Sequence, residues 1–150
     1  MRWKPPRQTR LSARRGQMNG TERAFAMILE TLKRAGLLED YRFESVTLRL
    51  PDHPSYTPDF MLTWPDCIEF AEIKGSYVRD HGRLRYRVAV DLYPEFLWSF
   101  REARYTCRKV VGWKVETSTD EGDRVAVELD RMRGGRSISG PVVVAGGPPG

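Results

Sequence analysis

The sequence predicts an α/β fold: a central mixed β-sheet flanked by helices. Three observations carry that prediction. Two segments, residues 21–35 and 80–92, show apolar residues at helical spacing, and between and after them lie short runs with strand-like alternation. The order helix, β-hairpins, helix, strands implies a mixed sheet with helices packed against it. The 150 residues suffice for one domain with a real core and not for two comfortable ones. No internal repeat is visible.

Residues 1–18 carry Arg2, Lys4, Arg7, Arg10, Arg14 and Arg15 with Pro5 and Pro6, and no apolar periodicity. They read as a flexible basic arm able to lie along a phosphate backbone, with Arg10, Arg14 and Arg15 as candidate contacts. An ordinary solvated terminus fits the same residues. Residues 19–133 form the single folded domain. Its clearest helix spans 21–35, where Asn19 or Thr21 caps the start, Phe25, Ile28, Leu29 and Leu32 make the apolar face, and Gly36 supplies the stop. Glu22 falls in the first turn, where an acid compensates the positive end of the helix dipole.

Next, Tyr41 and Phe43 alternate, and Val46, Leu48 and Leu50 alternate in shifted phase, which places a bulge or break near Ser45. Residues 51–55 read as a loop, 56–62 as a strand, 63–66 as a turn and 67–74 as a strand pairing back in a hairpin. In the helix over 80–92, Leu84, Val88 and Leu92 form an apolar stripe, and Arg79, Arg83 and Arg87 a basic stripe on another face. That basic face is either simply solvated or a phosphate-contacting surface. Pro94 ends the helix, and residues 96–100 and 110–115 supply further strands. Trp98, Phe100 and Trp113 are read as core. Residues 134–150, rich in Gly and Pro around Val142 to Val144, are either a disordered tail or an added edge strand.

Net charge is +5 with pI ≈ 9.5, which favours a polyanionic partner. Of the 25 basic residues only Lys4, Lys33, Lys74, Lys109 and Lys114 are lysines, and arginine's planar fork suits phosphate. A GC-rich genome or adaptation to heat accounts equally for the arginines, and Gln8, Gln17 and Asn19 are the only amides. No run approaches the roughly 18 apolar residues of a membrane helix, and the basic start lacks a signal peptide's apolar stretch, so a cytoplasmic protein is expected. Cys67 and Cys107 lack CxxC spacing and read as structural thiols rather than zinc ligands.

The chemistry-bearing pattern lies in the predicted hairpin. Period-two alternation puts Ile68, Phe70, Glu72 and Lys74 on one face of their strand, so Glu72 and Lys74 point the same way at its end. Pairing through the turn brings Asp59 close to Glu72. Two carboxylates with a lysine beside them suit Mg²⁺, a hard cation that takes one or two carboxylates and completes its shell with water and phosphate. Taken singly, Glu72 and Lys74 also fit a surface ion pair, and Asp59 after Pro58 fits turn chemistry.

Pro58-Asp59, followed thirteen positions later by Glu72-Ile73-Lys74, resembles the PD-(D/E)xK nuclease superfamily. The Pro-Asp pairs at 51–52 and 65–66 are set aside: Asp52 leads into a loop and Asp66 sits in the turn, too near Glu72 for a hairpin. The wording Tyr56-Thr57-Pro58-Asp59-Phe60 with Glu72-Ile73-Lys74-Gly75 is similar to the endonuclease I family of short-tailed phages and to archaeal-type Holliday junction resolvases. The resemblance covers roughly residues 19–100. It implies a restriction-endonuclease-like core and adds Glu22 to the catalytic set of Asp59, Glu72 and Lys74. It further implies that Glu22, Asp59, Glu72 and the Ile73 carbonyl hold Mg²⁺, with Mn²⁺ able to substitute. Lys74 then orients or helps deprotonate the attacking water, and Thr57 and Tyr56 contact the phosphate. The expected activity is a structure-selective DNA endonuclease, a homodimeric Holliday junction resolvase that nicks four-way junctions in pairs, two active sites matching a two-fold substrate. A phage nuclease of broader duplex or flap specificity, a non-catalytic DNA-binding module on a nuclease fold, and an RNA-directed nuclease are the alternatives.

Overall fold

The computed structural model describes residues 16–51, 53–75 and 80–134. Helix α1 (Gly20–Arg34) starts at the expected place because Asn19 caps it and Glu22 closes a capping box. Strands β1 (Asp40–Phe43), β2 (Leu48–Leu50), β3 (His53–Tyr56), β4 (Phe60–Thr63) and β5 (Ile68–Lys74) follow, then helix α2 (Asp80–Leu92). Strands β6 (Leu97–Thr106) and β7 (Lys109–Thr117) and helix α3 (Arg124–Met132) complete the described chain.

The result is an α/β architecture with a mixed sheet of five strands in the order β1-β4-β5-β6-β7. The expected hairpin is present: β4 and β5 pair antiparallel, Phe60 opposite Ala71 and Thr63 opposite Ile68. On its other side β5 pairs in parallel with β6, Glu72 opposite Phe100, after the crossover through α2. β5 is therefore the central strand, covered on both faces, and its alternation sorts side chains between two cores. Ala71 and Ile73 join Phe25, Leu29 and Leu32 of α1 and Val125 of α3. Phe70 joins Tyr86 and Ala89 of α2, Trp98 and Phe100 of β6, and Leu50 and Tyr56 of the β2–β3 hairpin. Burying each such large apolar side chain contributes about 1.5–3 kcal/mol.

Several expectations need correction. Residues 51–55 are not simply a loop, since His53–Tyr56 pairs with Leu48–Leu50 as a separate two-stranded sheet. The apolar surface offered by α2 and Trp98 gives Leu50 and Tyr56 a place to bury, and a proline is tolerated because this strand is not central. Residues 56–62 are not one strand. Pro58 has no N–H to give a ladder, and the chain breaks between Tyr56 and Phe60. The break after Phe43 is real, with Glu44 at φ 44° donating its N–H to the Asp59 carbonyl at 2.9 Å.

The apolar stripe assigned to α2 is also displaced. Leu84 and Leu92 are 52% and 42% exposed, whereas Tyr86 and Ala89 are buried. Arg83 sets this rotation: its guanidinium lies 5.0 Å from the Phe100 ring centre and pairs with Glu102 at 3.2 Å and with Glu116. The folded body also reaches further toward the N-terminus than residue 19. Met18 packs on the α1 core, and Gly16 donates its N–H to Glu44 Oε2 at 2.8 Å. The proposed tail at 135–150 lies outside the described residues. No helix among the described residues is long and apolar enough to cross a membrane.

Candidate active site

The site forms where β5 outruns β4. The last paired residue of β4 is Phe60, opposite Ala71, so the edge of β5 beyond it lacks a backbone neighbour on that side. Asp59, one residue before β4, fills the gap with its side chain: Ile73 donates its N–H to Asp59 Oδ2 at 2.7 Å. The carboxylate thus continues the sheet. Its own backbone is held by the Glu44 N–H, so both ends of residue 59 are tied down.

Glu72 points from β5 toward the α2 side, where both its oxygens are taken. Tyr56 donates its phenol hydrogen to Oε2 at 2.6 Å, and the Lys74 ammonium sits 2.5 Å from Oε1. Lys74 therefore does share a face with Glu72. A Cβ placed on Gly82 of α2 would stand 3.6 Å from Lys74 Cε, which puts the first turn of that helix against the lysine stem. Cys67 and Cys107 are free thiols.

Electrostatics bind these groups into one unit. Burial pushes the Asp59 carboxyl up to about 8, and the negative charges of Glu72 and Glu22 push the same way, against Lys74 and the Ile73 N–H. In a low-dielectric site the Glu72 carboxylate opposes the ionisation of Asp59. Burial disfavours the Lys74 ammonium, but Glu72, Asp59 and Glu22 outweigh it and raise its pKa. Lys74 is a firmly charged cation. Tyr56 is held well above the usual phenol range by burial and by the Glu72 charge, so it stays a neutral donor.

Glu22 serves two roles at once. It accepts the Asn19 N–H at 2.7 Å while Asn19 Oδ1 accepts the Glu22 N–H at 2.9 Å, the reciprocal cap expected at a helix start. Its carboxyl is nevertheless raised, by burial first and then by Glu44 and Glu72, with the Asn19 N–H and Lys74 opposing. The helix acid thus feels the charges of the strand pair. Glu44 is an acid that the strand-break reading did not single out; only its left-handed backbone, invisible in the residue pattern, marks it.

Thr57 is half-buried, and its hydroxyl hydrogen-bonds Thr47 Oγ1 at 2.9 Å across the base of the β2–β3 hairpin. Arg83, expected on an open basic stripe, is committed to Glu102 and Glu116 and is not free for phosphate. Arg87 is exposed. Arg10, Arg14, Arg15 and Arg79 lie outside the described residues. Searches against family models, curated proteins and solved structures found no match. The geometry therefore carries the functional argument alone.

Among the described residues, no three His, Cys, Asp or Glu side chains already stand in a metal-holding arrangement. A pair is enough for Mg²⁺, which dehydrates reluctantly and completes an octahedron with water and substrate oxygens. Asp59 and Glu72 are such a pair, all-oxygen and mutually repelling. The donor chemistry fits a hard divalent cation.

Proposed function

We propose that the protein is a metal-dependent DNA endonuclease of the PD-(D/E)xK type, built on a restriction-endonuclease-like core. One observation carries the reading: Asp59, bonded to the Ile73 N–H, and Glu72, bonded to Tyr56 and Lys74, meet at the carboxyl end of the central strand, where the Glu72 charge acts on Asp59. Asp59 and Glu72 hold Mg²⁺ in this reading, with Glu22 and the Ile73 carbonyl as further ligands and Mn²⁺ as a substitute. The ion supplies Lewis acidity, making bound water acidic and offsetting charge on the scissile phosphate. The remaining work falls to the chain. Tyr56 fixes the Glu72 carboxylate through one oxygen, and the Ile73 N–H fixes Asp59. Lys74 keeps its proton and offsets phosphate charge, since its raised pKa suits it poorly to deprotonating water.

The finer reading is a homodimeric Holliday junction resolvase, two copies placing two sites across a four-way junction. Four-way junction, flap and linear duplex DNA compared in competition separate this from a broader nuclease. Retained junction cleavage under excess linear DNA is expected, and loss of that preference contradicts resolution. A second reading has its own support. Asp59 accepts from Ile73, and Glu72 accepts from Tyr56 and Lys74, so these groups are partnered without any ligand. That self-satisfaction also suits a non-catalytic DNA-binding module, which would bind junctions and leave them uncut with Mg²⁺ present.

A further inference from the structure

We propose that the notch between the start of α1 and the β6–β7 turn is a phosphate-binding subsite that holds the nucleic-acid backbone beside the acids. It rests on the nuclease reading above and names where that enzyme would grip its substrate. An open cavity of about 580 Å³ lies there, lined on one side by Asn19, Gly20 and Thr21 and on the other by Tyr105, Arg108 and Lys109.

Glu72 and Glu22 act on Asp59 as like charges, and Glu44 and Glu72 on Glu22, with Lys74 opposing both. A polyanion is repelled by such a centre, so its attraction has to come from cations alongside it. Many cations elsewhere are committed: Lys33 to Asp40, Arg83 to Glu102 and Glu116, Arg101 to Glu69 and Asp123, and Arg124 to Asp66. Arg108 and Lys109, like Arg85, Arg87, Arg104 and Lys114, are exposed and have no ion-pair partner among the described residues; these two line the notch.

Tyr105 shares a hydroxyl–hydroxyl hydrogen bond with Thr21, the neighbour of Glu22. The same phenol oxygen stands 3.6 Å from where a Cβ would sit on Gly75, the residue after Lys74. The notch therefore opens directly beside the end of β5. Successive phosphates advance about 3.4 Å per nucleotide along the duplex axis, so a strand that leaves the acids in this direction reaches the notch within a few nucleotides.

Thr106 pairs with Lys109, leaving Cys107 and Arg108 as a two-residue loop with φ of 48° and 64°. Such a turn favours glycine or asparagine at both places. An arginine there is unfavourable for the backbone, and its cationic side chain is what the position gains. The helix start itself is not the attraction, because its cap is already closed by Asn19 and Glu22.

The test measures DNA dissociation constants against salt, without Mg²⁺, for the full chain. Variants are Arg108→Gly, Lys109→Ala, their double, and Arg34→Ala at the opposite end of α1 as control. Each notch substitution is expected to weaken binding roughly five- to tenfold at ~0.1 M salt and flatten the log–log salt slope by about 0.9. Arg34→Ala is expected to match wild type. Arg108→Gly relieves the turn, so its melting temperature stays at or above wild type and its binding loss is not misfolding. A double variant with unchanged affinity and slope overturns the subsite, as does an equal loss from Arg34→Ala. A parallel cleavage assay with Mg²⁺ separates the two readings: wild type that binds with a steep slope, flattened in the double variant, yet never cuts with Mg²⁺ present keeps the subsite and overturns the nuclease reading. Wild type that cuts while the double variant binds normally does the reverse, and no nucleic-acid binding at all overturns both.

Discussion

Replacing Asp59 with asparagine should make the metal-free protein more stable in alkaline buffer, by an amount that vanishes in acid. The Asp59 carboxyl is raised from an ordinary 3.8 to about 8, by burial and by the neighbouring Glu72 charge. Because the folded value lies above the unfolded one, folding favours the protonated form. The stability Asp59 contributes is therefore complete below about pH 4 and is lost as pH rises through about 8. At about 1.4 kcal/mol per pKa unit, the full swing has an upper bound of about 6 kcal/mol. That bound already counts the Ile73 N–H and Lys74, which oppose the rise; relaxation and water entry around the charged acid reduce what is realised. A net gain of about 2–3 kcal/mol at pH 9 follows for Asp59→Asn, falling to near zero at pH 4. Urea melts in EDTA across pH 4 to 9 read this directly. With a denaturant slope of about 1–3 kcal/mol per molar, the alkaline midpoint moves up by about 1–2 M. A difference that does not depend on pH, or one that shrinks as pH rises, refutes the reasoning that two buried carboxylates repel each other here.

Other parts of the fold yield sharper mutational contrasts. Tyr56→Phe removes the donor on Glu72 Oε2 and should cost about 1–2 kcal/mol in urea melts. It should also lower single-turnover cleavage roughly tenfold, with substrate affinity unchanged, since the phenol acts on the acid and not on DNA. Arg101→Leu breaks a cluster in which buried Arg101 holds half-buried Asp123 at 2.7 Å and buried Glu69 at 3.3 Å. The loss should be about 3–5 kcal/mol, because Glu69 and Asp123 are left without their partner. Glu22→Gln keeps an acceptor for the Asn19 N–H, so stability should change by under about 0.5 kcal/mol. If Glu22 serves the metal as proposed, Mg²⁺-dependent cleavage falls by tenfold or more in the same variant, and unchanged cleavage leaves Glu22 as a cap alone.

What the residue pattern revealed, and what it hid, has a consistent physical reason. Period-two alternation is set by the backbone, so Glu72 and Lys74 on one face of β5 and the β4–β5 hairpin were legible at once. Helix α1 was legible from Asn19 and Glu22 because a cap is chemistry between neighbours. The rotation of α2 was not, since it depends on Arg83 finding Glu102 and Glu116, partners 19 and 33 residues away. For the same reason the expected phosphate contact at Arg83 became an internal ion pair. β3 was hidden by its prolines, because only the surface of α2 makes a strand there worthwhile. Helix α3 went unread. Its cap residue Asp123 holds a buried arginine from β6, and no local pattern announces that bond. Tyr56 as the donor to Glu72 likewise joins residues 16 apart, through a hairpin the sequence disguises.

The central claim is that Asp59, Glu72 and Lys74 form a metal-dependent phosphodiester-cleaving centre. The measurement that tests it most directly is cleavage of a labelled four-way DNA junction by wild type and by Glu72→Gln, each with Mg²⁺ and with EDTA. Wild type with Mg²⁺ is expected to nick the junction, and EDTA to abolish the nicking. Glu72→Gln is expected to bind the junction as tightly as wild type and leave it whole. Cleavage that survives EDTA, or that proceeds at the wild-type rate in Glu72→Gln, contradicts the assignment of this site.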